Sequence, residues 1–344
     1  GMASCGGIAR PVAAHDAGRD GAWPDGDTLM AEPLVRIGTR ASKLALAQAG
    51  MMQRAITRAL GHDEAEAETV APLIHITTSG DRIQDRRLLE VGGKGLFTKE
   101  IEEAHLDGRI DCAIHSLKDM PAILPDGLVI AATPKREDPR DAFLSMNWTS
   151  LDDLPQGARL GTASLRRQAQ ALHRRPDLNV QMLRGNVDTR IAKLEAGEAD
   201  AILLAYSGLR RLGLETAPKS LLDPEEAPPA PGQGVLAIET RADRADVPWL
   251  AALHDPQTAM AVAAERGAMA ALEGSCKTAI GAFAQVHDKT LRLVVEALTP
   301  DGKERFRAFG LCAMAGGPEK ARALGLRLGY DVLREGGEKL LLGE

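Results

Sequence analysis

One stretch of the sequence decides the fold, DCAIHSLKDMP at residues 111–121. Its first half is apolar and predicts a buried strand over 110–115, whereas its second half turns polar before Pro121. In an open α/β sheet, residues at the carboxyl end of a strand face the crevice where ligands bind. Proline disfavours helix at the preceding residue, so Lys118 and Asp119 are expected in a constrained turn. Two interpretations follow: solvated charges at a strand end, or Asp119 as a catalytic carboxylate at a strand tip.

The length and composition of the chain indicate a globular protein of several domains. With 344 residues it is too long for one ordinary domain. Hydrophobic residues make up 44% of the sequence but aromatic residues only 3%, so aliphatic side chains must build the core. A formal net charge of −6 argues against bulk binding to nucleic acid or membrane. No apolar run reaches the ~18 residues that a membrane span needs, which favours a soluble protein.

The cysteines and the N-terminal residues indicate a reducing, cytoplasmic setting. Cys5, Cys112, Cys276 and Cys312 form no Cys-x-x-Cys pair, and no His/Cys cluster has zinc-ligand spacing. We therefore expect neither disulfides nor a bound metal. Residues 1–32 are rich in Gly, Ala and Asp and lack the apolar core of a signal peptide, so we expect a mostly disordered extension.

Strand and helix patterns alternate along the chain, which predicts parallel strands joined by right-handed crossovers. In the first half, strands are predicted at 34–38, 67–77, 110–115 and 128–132, with helices over 42–60 and 96–107. After a polar segment, strands follow at 159–161, 179–183 and 201–205, with helices over 165–174, 187–196 and 206–212.

The last part of the chain has a different pattern. It predicts a strand at 235–239, a short helix over 248–254, a long Ala-rich helix from 256, strands at 280–285, 291–297 and 305–308, and a helix over 318–335. The predicted domains are 33–134 with 235–252, 140–228, and 256–344, with a lid loop at 79–95. Extended segments near 134–140 and 228–234 join the first two domains and suggest a hinged cleft. The fold class is therefore two α/β domains like those of periplasmic binding proteins plus a small α+β domain.

Arginines recur where predicted strands end or helices begin, and such helix starts favour anions. They are Arg36, Arg40, Arg136, Arg140, Arg166, Arg167, Arg184, Arg190, Arg210 and Arg211. Guanidinium groups suit carboxylates, and each charged hydrogen bond is worth roughly 1.5–3 kcal/mol. Several such pairs at one crevice predict a ligand with several carboxylates. Phosphate is the competing anion, but the GGKGL run at 92–96 lacks the P-loop pattern. It is either a glycine-rich lid carrying Lys94 or a plain surface loop.

Cys276 lies in LEGSCK at 272–277, between a predicted long helix and a strand. A lone cysteine is usually a buried, inert thiol. This one lies at an irregular turn beside Lys277, where a thiolate would be favoured and accessible. Both interpretations stay open at this point. Cys112 falls inside a predicted strand and is expected in the core.

Several motifs together resemble the porphobilinogen deaminase (hydroxymethylbilane synthase) family. In chain order they are GGKGLF at 92–97, HSLKDMP at 115–121, REDPRD at 136–141, GTASLRRQ at 161–168, LRGNVDTR at 183–190, PGQG at 231–234 and LEGSCKTAIG at 272–281. The resemblance covers residues 35–344. The sequence departs from the family pattern at Ser275, Lys277 and Ala279, where Gly, Gln and Pro are frequent. We expect this departure to affect only the local geometry of the turn.

The resemblance implies a monomeric, three-domain transferase of tetrapyrrole biosynthesis. Such an enzyme joins four porphobilinogen molecules head to tail, releases ammonia, and frees hydroxymethylbilane by hydrolysis. Its cofactor is a dipyrromethane made from the same substrate and held through a thioether. The matching anchor is Cys276 and the matching catalytic residue is Asp119.

The family's carboxylate-binding positions also have counterparts in this sequence. Those matching cofactor-binding positions are Ser116, Lys118, Thr162, Ser164, Arg166, Arg167, Arg184, Gly185 and Arg190. Those matching substrate-binding positions are Arg36, Arg40, Ser42, Lys94, Arg136 and Arg211.

The chemistry of this reaction suits Asp119. Free aspartate is ionised near pH 7, so Asp119 is expected to bind the substrate ammonium and to stabilise the azafulvene cation left when ammonia departs. It can then remove the final ring proton, directly or through water. Two alternatives remain: an anion-binding module that performs no chemistry, and Schiff-base chemistry at Lys118. The second lacks an apolar pocket around Lys118 in the sequence pattern, and such a pocket would be needed to lower the pKa of the lysine.

Overall fold

The computed structural model describes residues 32–82, 96–273 and 279–341. Three predicted features fall wholly or mostly outside these ranges: the N-terminal extension, the lid loop with Lys94, and the turn with Cys276. Within the described ranges, no helix is long and apolar enough to cross a bilayer.

The strands and helices are numbered here in chain order. The strands are β1 (Ile37–Thr39), β2 (Leu73–His75), β3 (Cys112–Ser116), β4 (Leu128–Ala132), β5 (Asp141–Ser145), β6 (Arg159–Gly161), β7 (Asn179–Gln181), β8 (Ala201–Ala205), β9 (Ser220–Leu221), β10 (Leu236–Arg241), β11 (Ala279–His287), β12 (Thr290–Leu298) and β13 (Arg305–Ala313). The helices are α1 (Lys43–Ala59), α2 (Ala67–Val70), α3 (Ser79–Arg82), α4 (Lys99–Leu106), α5 (Leu165–Arg174), α6 (Val187–Glu195), α7 (Tyr206–Arg211), α8 (Pro248–Leu253), α9 (Pro256–Glu273), α10 (Gly317–Gly336) and α11 (Glu338–Leu341).

The first sheet has the strand order β2-β1-β3-β10-β4. Strands β1, β2 and β3 are parallel, and β10 runs antiparallel to both β3 and β4. Helix α1 packs on one face, where Met52 joins Ile37 in a buried cluster. Helix α4 packs on the other face, where Ile101 meets Ala113. Both faces are therefore covered, as the near-continuous apolar runs of the central strands require.

The second sheet repeats this arrangement with the order β7-β6-β8-β5-β9. Strands β6, β7 and β8 are parallel, and β5 runs antiparallel to β8, with Phe143 opposite Leu203. Helix α5 covers one face through Ala171, and α6 covers the other through Leu194. Each sheet thus receives one antiparallel strand, and that strand directly follows one of the two segments that cross between the sheets.

The third sheet is an antiparallel meander, β11-β12-β13, covered by α9 and α10. The two helices cross very closely at Gly325, where an added Cβ would lie 1.9 Å from the carbonyl oxygen of Ala264. The predicted architecture is confirmed: two mixed α/β sheet units of the same strand order, plus a small α+β unit.

Three details of the sequence prediction were wrong. Strands β5 and β10 are antiparallel, because each enters its sheet from a crossing segment and apolar periodicity carries no information on direction. Strands β5 and β9 were missed, β5 because it begins inside the polar motif at 136–141 and β9 because it has only two residues. The predicted strand at 67–77 begins as helix α2, which follows a capping box in which Asp63 accepts from the Ala65 N–H at 2.8 Å and Glu66 accepts from the Asp63 N–H at 3.0 Å.

Candidate active site

The turn after β3 is held by buried neighbours on both sides. Strand β3 leads directly into a 3₁₀ turn, Leu117–Asp119. Leu117 and Met120 are fully buried, and the Leu117 N–H donates to the Val235 carbonyl at 3.0 Å. Gly232, at φ +78°, passes so close that a Cβ would lie 2.8 Å from the Leu117 side chain. The two charged residues of the turn are therefore fixed at the carboxyl edge of the first sheet.

The carboxylate of Asp119 is partly buried and uncommitted. Among the residues that the structure describes, it accepts no hydrogen bond and forms no ion pair. Its negative charge acts on Lys118 and Arg190, because it opposes the lowering of the pKa of both groups. A fixed negative charge thus remains available to a cationic group of a ligand.

The second sheet contributes two helix starts to the same region. Ser164 caps α5 by accepting from the Arg167 N–H at 3.3 Å, and Thr162 accepts from the Ser164 N–H at 3.1 Å. Asn186 caps α6 by accepting from the Thr189 N–H at 2.9 Å. The predicted start of each helix is confirmed. Because both hydroxyls act as acceptors here, each keeps its hydrogen for an outside acceptor.

Asp141, at the start of β5, orients the first two arginines of α5. Its carboxylate is buried and accepts from Arg166 Nη1 at 2.6 Å, from Arg167 Nη2 at 2.8 Å and from Gln233 Nε2 at 2.9 Å. Burial alone would raise the pKa of Asp141, but the two guanidinium groups outweigh it and hold that pKa well below its usual range. The arginines are therefore fixed by a partner that stays ionised throughout the physiological range.

Other cations of the site lack such partners. Within the described ranges, Arg184 Nη1 and Arg190 Nε are buried without a hydrogen-bond acceptor. Burial lowers the pKa of Arg190 to about 10, and the charges of Arg167 and Arg184 contribute to the shift. Burial, with Arg167 next in effect, lowers the pKa of Lys118 to about 8. The group is thus a set of mutually repelling cations, and an anionic ligand would relieve the repulsion.

A cavity of about 60 Å³ lies between the two sheets at this point. Its lining includes Ser116, Lys118, Arg167, Val187, Arg190 and Arg211. Gln48, on α1, also lines it and accepts from Ser116 Oγ at 2.9 Å and from Arg211 Nη1 at 2.8 Å. Burial lowers the pKa of Arg211 to about 10. Five of the predicted site residues are therefore brought together on one cavity wall.

Two predicted residues lie at the same edge of the first sheet but are already engaged. Arg40 directly follows β1, the parallel neighbour of β3, and its Nε donates to Asp81 at 3.0 Å. Its guanidinium also lies 4.2 Å from the ring centre of Phe97. Ser42 caps α1, as predicted, by accepting from the Ala45 N–H at 3.3 Å.

Two other predicted arginines are not brought into the cavity. Arg36 precedes β1 and pairs with Asp111 at 2.9 Å, at the amino edge of the sheet and thus at the opposite end of the strands from the turn Leu117–Asp119. Arg136 pairs at 2.6 Å with Glu265, a fully buried residue of α9. Both guanidinium groups have structural partners, which a residue pattern alone does not show.

Gly185 has a conformational role. Its φ is +124°, and an added Cβ would lie 2.7 Å from the Thr189 side chain. The residue joins Arg184 to the cap of α6, so the backbone there must turn in a way that favours glycine.

Sequence reasoning missed three residues that organise the site: Gln48, Asp141 and Gln233. Their amide and carboxylate groups join side chains that are far apart in the sequence, and spacing gives no signal of such contacts. Asp141 and Gln233 did fall inside quoted motifs. The argument against a lowered pKa at Lys118 was wrong, because the cavity that buries its ammonium is formed by both sheets.

The fold and the site together indicate a general class of protein. Two mixed sheets of the same strand order, with a cation-lined cavity between them, indicate a two-unit α/β protein whose cavity is suited to a small anionic molecule. Residues 35–248 match the family model described as porphobilinogen deaminase, dipyromethane cofactor binding domain, and residues 259–334 match the model of the porphobilinogen deaminase C-terminal domain. The chain belongs to the porphobilinogen deaminase family, whose members are transferases that use porphobilinogen and a dipyrromethane cofactor.

Curated relatives agree with this assignment. The chain is 66% identical to the porphobilinogen deaminase of Phenylobacterium zucineum, over 90% of this chain and 99% of that protein. It is 65% identical to that of Caulobacter vibrioides, over 91% of this chain and 99% of the relative. Among solved structures, it is similar to the methionine binding protein MetQ, with a TM-score of 0.41 and 15% identity over 64% of this chain and 89% of that one.

Proposed function

We propose that the cavity between the two sheets is where four porphobilinogen molecules are joined head to tail, with loss of ammonia at each addition and final hydrolytic release of hydroxymethylbilane. Asp119 is its catalytic residue. One observation carries this assignment: the uncommitted carboxylate of Asp119 lies within the electrostatic reach of Lys118 and Arg190, and both of these cations line the cavity. A negative charge and several carboxylate-binding cations are what a substrate with one ammonium and two carboxylates requires.

Asp119 acts first on the aminomethyl group of the substrate. The carboxylate binds the ammonium, which already carries the proton that it needs to leave as ammonia. Loss of ammonia leaves a positive charge on the pyrrole ring, and a carboxylate fixed in a partly buried site stabilises it more than water would. After the new carbon–carbon bond forms, the same carboxylate accepts the ring proton, directly or through water.

The cations orient the rings. Arg167, Arg190 and Arg211 line the cavity, and the unpaired donor of Arg184 lies in the same unit. Each can bind an acetate or propionate through charged hydrogen bonds, worth roughly 1.5–3 kcal/mol apiece. Arg36 and Arg136 are left out of the proposal because Asp111 and Glu265 already bind them.

The described residues fit the dipyrromethane cofactor. Buried arginine donors without acceptors, and two hydroxyls free to donate, suit a group that carries several carboxylates. Lys118, Thr162, Ser164, Arg167, Arg184 and Arg190 would hold it. When bound, the cofactor supplies the primer onto which substrate rings are added.

Cys276 is proposed as the thioether anchor of that cofactor. It lies between the end of α9 and the start of β11, outside the described residues. The two described cysteines are poor candidates, because burial raises the pKa of the Cys112 thiol and also that of Cys312. Intact-protein mass spectrometry should show extra mass equal to two linked pyrrole units, which Cys276→Ala should lack. An unmodified wild-type chain in a fully active sample would refute the anchor.

Incubation with porphobilinogen tests the function itself. The purified chain should release ammonia and form hydroxymethylbilane. An anion-binding module would bind the substrate without releasing ammonia. Schiff-base chemistry would give an adduct at Lys118 that borohydride traps. Either of these results would contradict the proposal.

We also propose that the chain acts as a monomer in the cytoplasm. The monomer follows from the resemblance to the porphobilinogen deaminase family, and a sequence without a Cys-x-x-Cys pair suits a reducing compartment. Sedimentation velocity should give one monomeric species. A stable dimer, or export of the native chain from the cell, would contradict the proposal.

The proposed domains are 33–134 with 235–252, 140–228, and 256–344. Each range contains one of the three sheets and its own buried cluster. Limited proteolysis should cut between the domains before it cuts within them, and early cleavage inside a sheet would argue against these boundaries.

A further inference from the structure

Gln233 lies in the second crossing segment, between Pro231 and β10, and is 1% exposed. Both the nitrogen and the oxygen of its side-chain amide have polar partners. Nε2 donates to the Pro139 carbonyl at 2.7 Å and to Asp141 Oδ1 at 2.9 Å, and Oε1 lies 3.5 Å from Lys118 Nζ. One buried side chain therefore contacts the catalytic turn, the other crossing segment and the second sheet.

The backbone around Gln233 is fixed against the first crossing segment. Its carbonyl accepts from Arg136 Nε at 3.0 Å, and the next carbonyl, that of Gly234, accepts from the Glu137 N–H at 3.0 Å. Gly234 has φ +88°, and an added Cβ would lie 2.5 Å from the Glu137 carbonyl oxygen. The two crossing segments are thus joined side by side, and the amide is held where they meet.

The contacts of Gln233 connect the two halves of the proposed site. Lys118 belongs to the turn that presents Asp119, and Asp141 holds Arg167, which lines the cavity from the second sheet. The ammonium of Lys118 needs an acceptor, whereas the carboxylate of Asp141 needs a donor. A neutral amide can satisfy both at once. An ionised carboxylate cannot donate to Asp141, and a thioether donates to neither partner.

We propose that Gln233 is a positioning residue, which sets the catalytic turn of the first sheet against the arginines of the second sheet through one amide at the crossing segments. The inference rests on the proposed role of Asp119. If it holds, loss of the amide lowers kcat, because Asp119 and the arginines no longer meet in the productive geometry. KM changes less, because among the described residues no hydrogen bond joins Arg184 or Arg190 to Gln233.

The test compares kcat and KM of the holoenzyme for porphobilinogen in three variants, with cofactor loading checked by intact mass. Gln233→Met keeps the side-chain length but removes the amide, and we expect kcat to fall about 10- to 100-fold, the scale of a misplacement near 1 Å. Gln53→Met is the matched control. Gln53 is a buried glutamine of α1 whose Nε2 donates to the Ala71 carbonyl at 2.9 Å, away from the cavity.

Gln233→Glu supplies a readout that a purely structural role would not move. The new carboxyl would face the Asp141 carboxylate, which favours its protonated form, and the Lys118 ammonium, which favours its ionised form. The protonated form can donate to Asp141 as the amide does, so kcat should recover toward the wild-type value as the pH falls. Because the titration of Lys118 is common to all these enzymes, kcat is compared with that of the wild type at each pH, and by this measure Gln233→Met should show no such recovery.

Two results would overturn the inference. One is a Gln233→Met effect on kcat no larger than that of Gln53→Met, and the other is a Gln233→Glu profile parallel to that of the wild type. Asp119→Asn, assayed in the same series, separates this inference from the proposed function. Near-normal turnover there would overturn the role of Asp119 itself, whereas wild-type-like Gln233 variants would overturn only the positioning role.

Discussion

At the residue scale, the ammonium of Lys118 loses its charge at a lower pH than the guanidinium groups of Arg190 and Arg211, which line the same cavity. This ammonium lies on the cavity wall, where burial, and next the charge of Arg167, lower its pKa from the usual 10.5 to about 8. Below that pH the protonated form attracts carboxylates, and above it the neutral amine does not. Because the unfolded chain binds the proton more tightly, the contribution of this group to the free energy of unfolding rises as the pH increases from about 8 to about 10.5.

A rise in pH should affect catalysis in the opposite direction from stability. We expect kcat/KM for porphobilinogen to fall as the pH rises through about 8, because Lys118 loses its charge. Lys118→Arg keeps a positive charge throughout, so its activity should decline less over the same interval, whatever its starting value. Titration of the substrate amine is common to both enzymes and cancels in the comparison. Parallel profiles for the two would contradict the assignment of the decline to Lys118.

At the same scale, the sequence motifs predicted the chemically important residues better than they predicted the side chains that bind to those residues. Asp119 and five carboxylate-binding residues were assigned from motifs, and the cavity wall holds the five. The sequence did not predict that Arg36 and Arg136 are engaged in ion pairs. It also did not predict that Asp119 has no such partner among the described residues. The ion pairs depend on where Asp111 and Glu265 lie after folding, and Glu265 comes from a helix more than a hundred residues away in the sequence.

At the scale of elements, the turn into α6 places two of the cations. Gly185→Ala adds a Cβ at φ +124°, only 2.7 Å from Thr189, and should cost about 1–3 kcal/mol of stability. Because Arg184 and Arg190 flank this turn, the KM for porphobilinogen should rise several-fold. Urea unfolding and steady-state kinetics measure the two effects.

The end of the same helix provides the control. Gly197 also has a positive φ, +76°, but an added Cβ would meet no atom within 4 Å. Gly197→Ala should therefore lower stability by about 1 kcal/mol through the backbone alone and leave KM unchanged. Equal effects of the two variants on KM would show that the turn at Gly185 does not position the arginines.

The sequence predicted secondary structure well where it depends on contacts between residues close together in the chain. The starts of α1 and α5 were predicted to within a residue, and in the structure Ser42 and Ser164 cap them through contacts with neighbours in the sequence. The direction of β5 and β10 was not predictable in this way. A strand's hydrophobic pattern is the same in both directions, and its orientation depends on the path of the two crossing segments.

At the scale of the whole molecule, the cavity is small for its proposed ligands. Its volume of about 60 Å³ compares with at least about 300 Å³ for typical small-molecule sites. We therefore infer that the two sheet units separate when substrate and growing product enter, and that the crossing segments joined at Gln233 are where they bend. X-ray scattering of the enzyme with porphobilinogen should show a change in radius of gyration; identical curves with and without substrate would contradict it.

Turnover by Asp119→Asn tests the assignment of this cavity most directly. Asparagine has the same shape but no charge, so the fold should persist, with circular dichroism and urea unfolding unchanged. Ammonia release should fall by about 100-fold or more, the scale of losing one group that stabilises developing charge. Asp126→Asn, at an exposed aspartate of the loop after the same turn, is the control and should keep wild-type turnover. Near-normal ammonia release by Asp119→Asn would contradict the proposed mechanism.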